Sequence, residues 1–153
     1  MDNSLLISKY IQYILEHSNE IADILDPENA PHDLSNEENT QDYTQRIFPL
    51  LQPDNLTFPF IVHSRTGIQV TYTKDIEFGP CGWYNVVNYT VSCVSDDYAQ
   101  CIELANAVRH SMETYRWHDE NIYIHPIQLL TVSEYTTDND AFVQELQFQM
   151  MVE

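Results

Sequence analysis

The sequence predicts an α+β domain: a mostly antiparallel β-sheet of about four to five strands, packed with an N-terminal helix and a second helix. Three observations lead there. Apolar residues recur at helical spacing near the start of the chain. A long alternating run, Trp83–Ser95, is followed at once by a second helical stripe. Two further strand-like runs then close the chain around a polar turn. With 153 residues there is material for one domain, taken as 1–153, with an acidic loop at about 26–45.

The first helix is placed at 4–25, where Ile7, Ile11, Ile14, Ile21 and Leu25 return at three- and four-residue steps. Asn3 or Ser4 caps its start and Pro27 stops it. The segment Asp26–Gln45 has two prolines, many acids and few large apolar residues, and reads as a solvated loop. From Arg46 the period becomes two. Arg46–Leu51 and Phe58–Arg65 read as strands, and their prolines favour edge or strand-start positions. Gln69–Lys74 is a further short strand, and Gly79–Gly82 a turn.

In Trp83–Ser95, Val87, Tyr89, Val91 and Cys93 take one face and Val86, Asn88, Thr90 and Ser92 the other, as in a half-buried strand. Asp96-Asp97 opens the second helix, where carboxylates complement the positive end of the helix dipole. Its expected stripe is Tyr98, Cys101, Ile102, Ala105, Val108 and Met112. Residues 117–126 form a connection, and Ile127–Tyr135 with Ala141–Val152 form a hairpin.

Charge restricts the function. Six Lys and Arg against 24 Asp and Glu leave a net −18, half of it within residues 1–45. Such a surface repels phosphate, which argues against gripping nucleic acid or an anionic membrane. No apolar run approaches the roughly 20 residues that span a bilayer, and MDNSLLISKY has no signal-peptide pattern. Synthesis in a cytoplasm is expected.

Candidate chemistry fails residue by residue. Cys81, Cys93 and Cys101 have no metal-like spacing, and six histidines are scattered singly. Three glycines cannot build a phosphate-binding loop, and no GxSxG elbow exists. Glu37-Glu38 and the pair Asp138 and Asp140 fall in polar loops, where solvated charge explains them. No catalytic, metal or cofactor-binding residue is therefore expected, and the chain is read as no enzyme. Ten Tyr, six Phe and two Trp are many for one small sheet. Those at element ends either fill the core or form contacts between chains. The candidate assembly interface is Tyr72, Phe78, Trp83, Tyr84, Tyr10 and Tyr13, with Thr66–Trp83 read as a contact loop.

From Arg46 onward the pattern resembles the bacteriophage tail-terminator (tail-completion, head–tail joining) family. The matching features are Arg46-Ile-Phe-Pro-Leu-Leu and the Pro-containing Phe58-Pro-Phe-Ile-Val62. The long strand running into Asp96-Asp97-Tyr98, the helix segment Leu104-Ala-Asn-Ala-Val-Arg109 and the closing hairpin complete it. The acidic Asp26–Gln45 segment is longer than the link expected in that family, and Gly is scarce before the long strand. The resemblance implies a structural virion protein, made in the host bacterial cytoplasm and residing in the tail or neck. It implies a homo-oligomer, a hexameric ring at the head-proximal end of the tail tube. That ring ends tube polymerisation and touches the tail-tube protein and the head connector. No cofactor and no membrane are implied, and DNA passes through without specific binding; an acidic inner wall would keep it mobile. The alternative is another phage neck, connector or tail-tube-related part; a small cytosolic ligand-binding domain or enzyme ranks below both.

Overall fold

In the computed structural model the described residues are 6–25, 46–50, 58–71, 84–115, 117–118, 122–137 and 140–152. They form an α+β fold with three helices and seven strands in one mixed sheet. The helices are α1 (Ile7–Glu16), α2 (Asn19–Leu25) and α3 (Tyr98–Thr114). The strands are β1 (Ile47–Pro49), β2 (Phe60–Thr71), β3 (Tyr84–Ser95), β4 (Trp117–His118), β5 (Tyr123–Ile124), β6 (Gln128–Thr136) and β7 (Phe142–Val152).

The expected single N-terminal helix is two. After Glu16 the chain turns at His17, whose backbone N–H donates to the Tyr13 carbonyl at 3.0 Å. Ser18 then starts α2: its Oγ accepts from Ile21 N at 3.4 Å and bonds Ser111 Oγ of α3 at 2.7 Å. The apolar stripe survives the break, with Ile7, Ile11, Ile14 and Leu15 continued by Ile21, Ala22 and Leu25 in the core. α3 begins as its acids suggest, with Asp97 Oδ1 accepting from Ala99 N at 3.1 Å. Its buried stripe is Cys101, Leu104, Ala105, Ala107, Val108 and Met112. Tyr98 and Ile102, expected inside, are 45% and 43% exposed.

The sheet has more strands than expected and is not wholly antiparallel. Phe58–Arg65 and Gln69–Lys74 were expected as separate strands; the chain runs through Thr66 as the single strand β2, with a bulge between Arg65 and Gly67. β1 lies on the outer edge of β2 and runs parallel to it, Ile47 opposite Ile61 and Pro49 opposite His63. An edge position suits a strand ending in proline. The connection 117–126 contains β4 and β5, and Ile124 of β5 pairs with Val152 of β7. β7 is central, with β3 on one edge and β6, then β5, along the other. The expected hairpin is there, closed by Thr137 N to Ala141 O at 2.8 Å. The acidic 26–45 loop lies outside the described residues, as do Asn3 and Ser4; the cap position of α1 is taken by Leu6, which makes no side-chain cap bond.

The helices form one layer on one sheet face. Ile61, Val87, Tyr89, Val91, Cys93, Leu146, Phe148, Met150 and Val152 are buried beneath them. Burial of apolar side chains at roughly 25 cal/mol per Å² is the main force holding the layers together. The opposite face carries no helix among the described residues.

Candidate assembly surfaces

Inside the helix–sheet interface one polar chain is fully satisfied. His63, 1% exposed, bonds Tyr89 Oη through Nδ1 at 2.5 Å and Gln12 Oε1 through Nε2. Since Gln12 Oε1 only accepts, Nε2 carries the proton and Nδ1 accepts from the Tyr89 hydroxyl. The Gln12 amide donates to Glu16 Oε1 at 2.7 Å and to Ile47 O at 3.3 Å. Burial lowers the His63 pKa to about 4 and raises that of Tyr89 to about 12. The network ties α1 to β1, β2 and β3 in one register.

The two described cysteines are also interior. Cys101 Sγ donates to the carbonyls of Cys93 (3.2 Å) and Phe142 (3.4 Å), and burial pushes both thiols up. A protonated thiol without solvent access is a small hydrophobe, not a nucleophile. Among the described residues no three His, Cys, Asp or Glu side chains group as metal ligands would.

The open sheet face divides in two. At one end Phe58, Phe60, Val62, Val94 and Val143 gather around a hollow of about 420 Å³, reached also by Leu50 and Tyr135. Beyond it the face is mainly polar, with Ser64, Asn88, Thr90, Ser92, Gln147 and Gln149 by register, and Val86 beside Met151 at its far end. Glu145 is the one charged residue that β2, β3, β6 and β7 place there, and it accepts from Tyr135 Oη at 3.1 Å.

The margin of the sheet is more exposed than its face. Almost every residue of β6 is open to solvent, with Leu130, Val132 and Tyr135 at 51%, 49% and 49%. Next to it a hollow of about 540 Å³ is lined by Tyr98, Glu134, Tyr135, Phe142 and Gln144. Glu134 Oε2 accepts from Tyr98 Oη at 2.9 Å and Gln144 Nε2 at 2.8 Å. These two bonds, Gln144 first, hold the Glu134 carboxyl below its usual range, and the same carboxylate raises the Tyr98 phenol. The cluster fixes a charge at the sheet edge and presents aromatic surface around it, an arrangement suited to protein contact.

Of the sequence-selected aromatics, the structure describes the surroundings of Tyr10 and Tyr13. Tyr10 is 8% exposed and belongs to the core of its own chain. Tyr13 is 40% exposed, stacked on His17 at 3.8 Å and edge-on to Tyr115 at 6.4 Å. Tyr84 begins β3; Tyr72, Phe78 and Trp83 lie outside the described residues. Of the expected contact loop, Thr66–Thr71 is strand rather than loop. The sequence marks the apolar margin of β6 only by Leu129-Leu-Thr-Val132, whose alternation breaks where the strand bulges at Leu130.

The fold has a counterpart in a virion. It is similar to a chain in the virion of a native gene transfer agent particle, with a TM-score of 0.55 at 17% identity. The match covers 72% of this chain and 80% of that one. No family model and no curated protein matches the sequence. At that identity the likeness is one of fold. No helix of the described residues is long and apolar enough to cross a membrane.

Proposed function

We propose that this chain is a structural protein of a phage-like virion, acting as a tail terminator. Copies form a ring, six in the resemblance, at the head-proximal end of the tail tube. The ring stops tube polymerisation and offers its other side to the head connector. The observation that carries this reading is the fold shared with a virion chain over 80% of that chain's length. The interior gives it secondary support. The described cysteines and His63 are spent on packing and on internal hydrogen bonds, while β6 at the sheet margin exposes Leu130, Val132 and Tyr135, which suit contact with protein. The open face of β2, β3, β6 and β7 holds no Lys or Arg among the described residues, so next to passing DNA it would lack the basic contacts that supply most of the affinity for phosphate.

The test is disruption of the gene in its phage, followed by imaging of the tails. Tails of uncontrolled length are expected. Normal tails would refute the terminator role. Labelled protein located in the virion but away from the head–tail junction would leave a structural part of another kind.

A further inference from the structure

β2, β3, β7 and β6 are four successive antiparallel strands, so β2 and β7 run one way and β3 and β6 the other. This run has two open margins. β1 covers β2 only from Ile61 to His63, and no strand among the described residues pairs with the outer side of Thr66–Thr71. The outer side of β6 has no strand against it among the described residues either. A second copy in the same orientation therefore brings its β2 margin to β6 as an antiparallel neighbour, with no strand reversed. An uncovered strand of nine residues with exposed apolar side chains, no proline and no lysine is a template for such pairing.

Charge and pleat select one register. β2 holds a single permanent charge, Arg65, and β6 holds a single charge, Glu134. Arg65 is opposite Tyr89, and Glu134 is opposite Gln144, itself opposite Cys93; both therefore stand on the helix-covered face. With Arg65 set opposite Glu134, Ser133 meets Gly67, Val132 meets Ile68 and Thr131 meets Gln69. β2 bulges at Thr66 and β6 at Leu130, one irregularity in each strand, so the two offsets cancel. Leu129 then meets Val70, and Gln128 meets Thr71 at the end of both strands. From Arg65–Glu134 to Gln69–Thr131 the two members of each pair share a face, with the ion pair and the apolar Val132–Ile68 pair on the helix side and the polar Thr131–Gln69 pair on the other.

We propose that β6 of one copy pairs antiparallel with the Thr66–Thr71 margin of β2 in a second copy, Glu134 opposite Arg65, continuing the sheet from chain to chain. The partner is this chain itself, and the inference rests on the ring reading. Copies carrying −18 each repel, and this margin is where they meet with one acid facing one base. The contact uses two different patches, the kind that closes into rings.

Two measurements test it. In a Cys81→Ser background, Val132→Cys and Ile68→Cys chains are mixed and oxidised. A disulfide-linked dimer is expected in the mixture and in neither variant alone, and the doubly substituted chain gives a ladder. Linkage of Val132→Cys to itself would mean β6 pairs with β6 and would overturn the proposal. The second measurement needs no substitution: amide exchange in 128–136 and 66–71 slows at least tenfold in the oligomer relative to dilute monomer. An oligomer by light scattering with unchanged exchange in both segments overturns the edge pairing and leaves the ring reading standing. A monomer at every concentration overturns both.

Discussion

His63 is a histidine held neutral by its surroundings. Its pKa is lowered to about 4 by burial, against 6.5 for an exposed imidazole. Between those values the unfolded chain binds a proton that the folded chain does not. Stability from this group is therefore complete above pH 6.5 and falls as the pH drops towards 4, by about 3 kcal/mol over the whole window. Urea unfolding at pH 7.5 and pH 5.0 should differ by about 2 kcal/mol from this group alone. His63→Gln, which keeps a donor and an acceptor but does not titrate, should flatten that dependence; an unchanged slope would place it elsewhere. A second residue-scale feature is Leu50, whose φ is 66° and whose side chain is 72% exposed. The left-handed region costs a non-glycine residue about 1–2 kcal/mol, and little burial repays it here. Leu50→Gly should stabilise the monomer by about 1 kcal/mol in chemical denaturation. Strain kept at an exposed apolar site is a mark of function, so the same substitution should weaken assembly if the hollow beside β1 is a contact.

At the scale of elements, the starts of α2 and α3 each rest on one small polar side chain, Ser18 and Asp97. Asp97→Ala removes the acceptor for Ala99 N and should cost about 1 kcal/mol, read from the urea midpoint at constant m-value. Asp97 is exposed and outside the core, so a loss much above 2 kcal/mol would mean that α3 unfolds with it. Element type was legible where one face is buried and the other is not. β3 alternates cleanly, and β7 nearly so, because both lie mid-sheet under the helices. The strands read poorly were β4 and β5, two residues each, and β2, whose bulge interrupts the period. The α1–α2 break was invisible because Ser18 acts through Ser111, a partner 93 residues away.

For the whole molecule the dominant quantity is charge. Copies at −18 repel over a distance set by the Debye length, about 30 Å at 0.01 M salt and 8 Å at 0.15 M. Assembly into the proposed ring should strengthen at least severalfold between 10 and 150 mM salt, measured by light scattering at fixed protein concentration. If assembly weakened instead, ion pairs between copies would outweigh the general repulsion. The candidate assembly surface was less legible than the fold. Tyr10 was chosen for being aromatic, and it proved to be core. Val132 and Ile68 carry no such chemical mark.

The sequence by itself determined the fold class and the order of most elements. These follow from local periodicity, which needs no distant contact. Only the tertiary structure decided which margins of the sheet stay open, that β1 runs parallel, and that Arg65 and Glu134 stand on the same face of one sheet. Those are properties of pairing between residues far apart in the chain, and a strand's period says which way its side chains point but not which neighbour it lacks.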